Sequence, residues 1–444
     1  MIVLGKKIHL TSFRVISFGF LFTILAGSFL LMLPFATQGT ENASFIDSLF
    51  TATSAVCVTG LVVHDTATYW TSFGHVVIIS LIQIGGMGVI TVAVALAMIS
   101  GRKIGLMQRS TMKEAIAAPH VGGIVRLTRF IVKITIAIEC LGALIMAPVF
   151  IRDFGIGKGI WYAFFHSISA FCNAGFDLMG IRGQYSSLTS YVTQPAINLA
   201  IMGLIISGGL GFLTWEDILS HGLHFRKYRL QSKMILTITP FLIVLPALFF
   251  YFYEFANVAG PARVWLSFFQ SVTPRTAGFN TADLAALSEP SVAIITILML
   301  IGGSPGSTAG GMKNTTLFFL LLSSLSVFRR KNDTVCFHRR ISDDTLKNAS
   351  TILMMYLVLF LTGGLIISCV EKIPIHVCLF ETASAIGTVG LTLGITPTLS
   401  AVSKLVLICL MFFGRVGGLT LIFSAAANPR HNLSRFPQED VTVG

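Results

Sequence analysis

Four stretches of this 444-residue chain repeat one pattern: LFTATSAVCVTGL at 49–61, FFHSISAFCNAGF at 164–176, FFQSVTPRTAGF at 268–279 and LFETASAIGTVGL at 379–391. Each opens on aromatic or apolar residues, runs through small and hydroxyl side chains, and ends on a glycine followed by Leu or Phe. Phe50, Phe165, Phe269 and Phe380 stand 10, 10, 9 and 10 residues before Gly60, Gly175, Gly278 and Gly390. These glycines recur at intervals of 103 to 115 residues. A fixed period with a fixed internal pattern is an internal repeat. Whatever fold one unit adopts, the chain must adopt it four times.

The surroundings of the repeats identify their solvent. Hydrophobic residues make up 54% of the chain and charged residues 11%, against about 25% charged in soluble domains. The chain therefore reads as an integral membrane protein. Apolar runs near or above the ~20 residues that span a bilayer recur near 13–36, 73–100, 128–150, 192–214, 235–255, 290–326, 350–370 and 400–426. They predict eight transmembrane spans and leave no room for a soluble domain. The first follows Lys6 and Lys7, is too long for a signal-peptide core, and reads as a retained helix. The repeated stretches differ from these spans. At about 13 residues, Ser44 to Val56 is too short to cross, and apolar segments of ~10–14 residues are re-entrant or interfacial. After each comes a span interrupted by glycine: GGMG at 85–88, GGLG at 208–211, GGSPGSTAGG at 302–311 and GRVGG at 414–418. The groups at 85–88 and 208–211 read as packing positions, as small residues between membrane helices usually are.

The net charge of +12 does not mark a nucleic-acid binder, because the cations are segregated. Lys and Arg crowd the N-terminal arm, the three long inter-repeat loops and the C-terminal tail, as at Arg102, Lys103, Arg109, Lys113, Arg226, Lys227, Arg229, Arg329, Arg330 and Lys331. The opposite loops hold Arg152, Lys158, Arg182, Arg263, Lys372 and Lys404. This is the positive-inside asymmetry, and it places both termini in the cytoplasm. It also gives that face an attraction for acidic membrane lipids or a partner. The seven cysteines are scattered, with no CxxC and no metal spacing. No nucleophile–base pair or nucleotide-binding glycine loop stands in a context that would indicate a membrane enzyme.

Non-helical backbone at membrane depth survives only where protein buries it or it lines water. Four units of one orientation can close around an axis, with the tips of their short helices converging. A bare monovalent cation costs on the order of tens of kcal/mol to move into hydrocarbon. A ring of backbone carbonyls offsets this by replacing the hydration shell, and glycine tolerates the backbone angles required. The candidate ion-binding segments are then Val58, Thr59 and Gly60; Asn173, Ala174 and Gly175; Thr276, Ala277 and Gly278; and Thr388, Val389 and Gly390. Thr59, Thr276 and Thr388 can add hydroxyl oxygen, with Asn173 the odd member. The inward C-terminal ends of the short helices, each carrying roughly half a negative charge, favour a cation over an anion. Asp47 reads as a cap of the first short helix, and Cys57 and Cys172 as packed small hydrophobes. Arg275 is expected to point behind the glycine turn and to pair with Glu381.

With VTGL, NAGF, TPRTAGFN and GTVGL as their turns, these units resemble the Trk/Ktr/HKT superfamily of potassium transporters over nearly the whole chain. The likeness is strongest to the potassium-translocating membrane subunit of bacterial Ktr systems, since the two additional N-terminal helices typical of Trk members are missing. The resemblance implies an all-α membrane protein of four pseudo-fourfold-related helix–pore-helix–helix repeats around one central pore. Repeat 1 would cover residues 1–110, repeat 2 111–232, repeat 3 233–340 and repeat 4 with the C-terminal tail 341–444. It implies uptake of K+ across the bacterial plasma membrane, driven by the membrane potential, with Na+ as an activator and no covalent cofactor. Gly60 stands where a serine would accompany sodium selectivity. The resemblance assigns an intramembrane gate to Gly302, Gly303, Ser304, Pro305, Gly306, Ser307, Thr308, Ala309, Gly310 and Gly311. Arg415, a charge amid apolar residues, would act with it, whereas Lys313 is ambiguous and can snorkel. The implied partners are a second copy of the chain, with the tail RFPQEDVTVG at the dimer interface, and a cytosolic nucleotide-binding regulatory ring of RCK type. An alternating-access cation carrier is the other reading, because broken helices also bind ions there. Such carriers usually have inverted repeats, and these repeats run parallel.

Overall fold

The computed structural model describes residues 11–417, apart from 40–41, 102–103, 117–119, 121 and 332, together with the short segments 2–3 and 6–7. The C-terminal tail, Gly418, Arg102 and Lys103 lie outside the described residues.

Each repeat opens with a helix long and apolar enough to cross a membrane: Ser12–Leu31, Ile124–Phe154, Leu230–Glu254 and Asp343–Glu371. Each is followed by a short helix, at Phe45–Val56, Ile156–Phe171, Pro261–Val272 and Ile375–Gly387. Local chemistry sets their starts. The Ser44 hydroxyl accepts the Asp47 N–H at 3.1 Å, so the cap expected of Asp47 belongs to Ser44. Gly155 and Gly260 turn the chain at positive φ before the second and third, and Pro261 occupies the first helical position, where its missing N–H costs nothing. The aromatic residues that define the sequence repeat, Phe50, Phe165, Phe269 and Phe380, are all buried and anchor the short helices in the core.

The second half of each of the first three repeats is not a straight rod. Ser72–Met87 and Val89–Ile99 meet at 97°, and Pro195–Gly209 and Phe212–His221 at 98°. In the third repeat Glu289–Leu300 and Asn314–Phe328 flank a largely irregular stretch at 301–313. In the fourth, Ala401–Val416 stops at Gly417. Of the eight expected spans, four are therefore continuous helices and three are broken, while the eighth is described only as far as Gly417. One backbone conformation recurs: Gly88 and Gly211 at the two bends and Gly417 at the end of Ala401–Val416 have φ of 86°, 88° and 88°, which a Cβ disfavours. The glycines expected only to pack also bend the chain, and they do pack. A Cβ on Gly85 would collide with the Val56 carbonyl, one on Gly208 with that of Phe171, and one on Gly414 with that of Ile386. In the first, second and fourth repeats these glycines thus tuck beneath the end of their own short helix.

The units close into a ring. Ser72–Met87 packs on Ile156–Phe171, Pro195–Gly209 on Pro261–Val272, Glu289–Leu300 on Ile375–Gly387, and Ala401–Val416 back on Phe45–Val56. That last junction joins opposite ends of the chain and carries a charge clamp. Lys404 Nζ lies 2.7 Å from Asp47 Oδ1, and His64 Nε2 lies 3.4 Å from Asp47 Oδ2. His64 stacks on Tyr69 with ring centroids 3.9 Å apart. The hydrogen bond from His64, and after it Lys404, holds the Asp47 carboxyl well below the usual carboxylate range against the opposing effect of burial.

Candidate ion-conduction site

Every short helix is left in the same way. Val58, Asn173, Thr276 and Thr388, each two residues before a repeat glycine, have φ of 52°, 59°, 66° and 52°. Gly60, Gly175, Gly278 and Gly390 follow at 92°, 70°, 83° and 94°. Left-handed backbone is an outlier for β-branched residues such as Val58, Thr276 and Thr388, so the surrounding structure must over-determine it.

The four turns meet. A Cβ on Gly60 would lie 2.5 Å from the Ala174 carbonyl oxygen, one on Gly175 2.6 Å from that of Ala277, and one on Gly278 2.5 Å from that of Val389. One on Gly390 would strike the carbonyl oxygen of Thr59. Each carbonyl belongs to the residue before the next repeat's glycine. The turns therefore follow one another around a closed ring, with one peptide oxygen at every junction. Val58, Thr59, Asn173, Ala174, Thr276, Ala277, Thr388 and Val389 are fully buried there. The hydroxyls of Thr59 and Thr388 have no hydrogen-bond partner among the described residues, and the Asn173 amide lies 3.1 Å from Thr276 Oγ1.

Behind this layer stands a second one that the sequence reading missed. Four residues after each aromatic anchor the short helices carry a hydroxyl: Ser54, Ser169, Thr273 and Ser384. Ser54 and Ser384 accept the N–H of Gly60 and Gly390, both at 3.0 Å. Ser169 donates to the Phe176 carbonyl at 2.7 Å, and Thr273 donates to that of Phe279. The same four residues also accept backbone N–H bonds from Thr59, Ala174, Ala277 and Val389 on their carbonyls at 2.8–3.0 Å. One residue after the anchors stand Thr51, His166, Gln270 and Glu381. His166 accepts the Leu178 N–H on Nε2 at 3.3 Å and donates from Nδ1 to the Tyr162 carbonyl at 2.7 Å. Glu381 accepts from Thr392 at 2.8 Å and from Thr396. These bonds hold the strands that leave the second and fourth turns. The sequence signal for Ser54, Ser169, Thr273 and Ser384 was the run of small and hydroxyl residues, whose facing the pattern alone does not reveal.

Glu381 is thus committed to threonines, and the expected pair with Arg275 does not form. Arg275 is buried, and its Nε has no partner among the described residues. Arg275 stands three residues before Gly278 and Glu381 nine before Gly390; the repeat pattern fixes that register but not the reach of either side chain. Cys57 is buried as expected. Cys172 is buried too, yet it is not surrounded by apolar groups alone. Its Sγ lies 3.6 Å from Gln83 Oε1 and 3.9 Å from Glu139 Oε1, and Gln83 donates to Glu139 at 3.2 Å.

The loop 302–311 lies directly under the ring. Thr308 donates its hydroxyl to the Phe171 carbonyl at 2.9 Å, and a Cβ on Gly310 would collide with the Thr388 side chain. Backbone bonds tie Ser304 to Gly209 (3.0 Å), Thr308 to Gly208 (3.2 Å) and Gly311 to Gly414 (3.1 Å). Arg415 donates to the carbonyls of Thr308, Gly85 and Gly86. One guanidinium therefore bridges the loop and the broken span of the first repeat, a role the planar fork of arginine suits. Lys313 does not snorkel: its Nζ folds back onto the Ala309 and Gly310 carbonyls at 2.8 and 3.4 Å. On the far side of the loop lies a cavity of about 340 Å³, lined by Pro305, Gly306, Ser307, Lys313 and Arg415 among others. Two cations and a strap of backbone thus separate this cavity from the ring of carbonyls.

The sequence profile of the family described as TrkH, cation transport protein, matches residues 12–435. The chain belongs to that family. Among curated members of this cation transport family, the potassium/sodium uptake protein NtpJ of Enterococcus hirae is 40% identical, with each chain fully covered. The Ktr system potassium uptake protein B of Bacillus subtilis is also 40% identical, over 99% of this chain and 98% of that one. Among solved structures, the potassium transporter TrkH from Vibrio parahaemolyticus superposes with a TM-score of 0.74 at 21% identity, covering 96% of this chain and 87% of its own. That likeness extends the shared family fold across almost all of the chain.

Proposed function

We propose that the chain takes up K+ across the plasma membrane through the ring formed at residues 58–60, 173–175, 276–278 and 388–390, driven by the membrane potential. The observation that carries this reading is the closed sequence of four glycine junctions, each with the preceding residue's carbonyl at its edge. Such a ring replaces a hydration shell, and its left-handed glycine turns leave no room for side chains on the path. The names of the relatives from Enterococcus hirae and Bacillus subtilis support K+ as the cargo, and the first of them supports a part for Na+. We read Na+ as an activator. The loop 302–311 with Arg415 serves as the gate, because it spans the path beneath the ring with positive charge on it. The Ktr naming of relatives supports a multi-component assembly. In our reading this is a homodimer on a cytosolic nucleotide-binding ring, with both termini of the chain on the cytoplasmic side. Four repeats, with boundaries at 110, 232 and 340, organise the path.

The test is rubidium uptake into proteoliposomes under a potassium-diffusion potential. The protein should pass Rb+ down its gradient without a co-substrate. Gly60→Ser adds a Cβ 2.5 Å from the Ala174 carbonyl at a φ of 92° and should lower discrimination between K+ and Na+ about tenfold or more, the effect of ~1.4 kcal/mol. Uptake that demands obligatory exchange, or unchanged discrimination in this variant, contradicts the proposal.

A further inference from the structure

Away from the ion path, a pocket of about 410 Å³ opens where the linker between the second and third repeats meets the loop after Asn314–Phe328. Arg226, Lys227, Arg229, Lys233 and Arg339 line it. Arg229 is paired with Glu216 at 2.7 Å and Asp217 at 3.6 Å. Among the described residues, Arg226, Lys227 and Arg339 have no acidic partner. The pocket therefore carries an excess of positive charge, and its walls are fixed. Buried Asp217 accepts the Arg229 N–H at 2.9 Å and the Ser232 hydroxyl at 2.7 Å. Lys233 Nζ donates to the Arg226 carbonyl at 2.8 Å. The Phe225 and Phe337 rings meet edge to face at 6.0 Å, joining the linker to the loop.

Two further observations choose the ligand. The pocket includes Leu230, the first residue of the helix Leu230–Glu254 that is long and apolar enough to cross a membrane, and the end of such a helix meets the headgroup layer. In the two chain segments that form it, Leu223, three residues before Arg226, is 100% exposed and Val335, two before Phe337, is 52% exposed, apolar side chains that a water-facing anion site does not need and acyl chains would cover. We propose that this pocket binds the phosphodiester headgroup of an anionic glycerophospholipid. Arg226, Lys227 and Arg339 supply the charge, and Leu223 and Val335 lie along the acyl chains. The inference rests on the membrane placement of the chain and not on the ion path.

The experiment is lipid retention by the intact purified protein, read by native mass spectrometry after exposure to mixed micelles of phosphatidylglycerol and phosphatidylcholine. R226Q/K227Q/R339Q should reduce the preference for phosphatidylglycerol, by about fivefold for each charge removed. R126Q/R129Q/K133Q, which removes three cations at the start of Ile124–Phe154, should leave it within about twofold of the unmodified protein. Elution as a single species in size-exclusion chromatography verifies folding, and single R339Q, expected to lose about fivefold, serves if the triple variant does not fold. Equal losses in the two triple variants would mean diffuse surface attraction and overturn the proposal, as would no loss in either. Displacement of phosphatidylglycerol by inorganic phosphate alone at millimolar concentration would show a site for soluble anions and overturn it too.

Discussion

Ser54 shows how one side chain can control a site it never enters. Its hydroxyl accepts the Gly60 N–H in a fully buried place. Ser54→Ala leaves that donor unsatisfied, at a cost of ~1–3 kcal/mol, and frees the first turn to shift its carbonyl. We expect a loss of K+ over Na+ preference in rubidium-competition uptake while protein yield is nearly unchanged. Ser54→Thr, which keeps the oxygen, should retain the preference. Equal behaviour of the two variants would show that the bond does not position the turn. At this scale the glycines were legible in the sequence because four copies of a spaced pattern leave few alternatives. The struts behind them were visible only as composition. Whether Ser169 donates forward to Phe176 or Ser54 accepts from Gly60 depends on rotamers, and the mispairing of Arg275 with Glu381 arose from the same blindness to direction.

Among the elements, the broken half of each repeat does most to shape the path. Glycine clusters in apolar runs announced an irregularity at 85–88, 208–211, 302–311 and 414–418. The near-right-angle bends were not legible, because close packing and a bend use the same residues. Only the positive φ at Gly88 and Gly211 separates the two. Lys313 was ambiguous in the sequence for a related reason: a sequence gives the length of a lysine and not the carbonyls within its reach. The loop 302–311 is held by a few backbone bonds and by Arg415, with none of the repeating hydrogen bonds of a helix. Such a segment opens at small cost compared with the helices around it. Deleting 304–310 should raise Rb+ flux about tenfold or more, the effect of removing a barrier of ~1.4 kcal/mol. Arg415→Gln, which removes the charge and part of the bridge, should raise it by less. Unchanged flux through a deletion protein that is folded and inserted would show that the loop is not the obstruction.

For the whole molecule, the question is what keeps a four-unit ring closed at the seam where the last unit meets the first with no chain connection between them. The clamp of Asp47, Lys404 and His64 sits at that seam. A carboxyl held below its ordinary value contributes fully above that value and loses its contribution as pH falls through its own lowered one. Asp47→Asn should therefore lower the thermal unfolding midpoint by a similar amount at every pH from neutral down to about 4, the ordinary carboxylate range. The difference should shrink only in stronger acid. A difference that vanished by pH 6 would mean that the seam is held by something else. The ring itself was inferable from four parallel repeats. Its handedness of contact, each broken span leaning on the next short helix, was not, because neighbour order depends on tertiary packing. The central claim is that one desolvated monovalent cation is held among peptide oxygens from all four units. Anomalous diffraction from crystals grown in a thallium(I) salt tests it most directly. A peak on the axis between the carbonyls of Thr59, Ala174, Ala277 and Val389 is the predicted result. Anomalous density confined to other parts of the protein, with none among those four oxygens, would contradict the account.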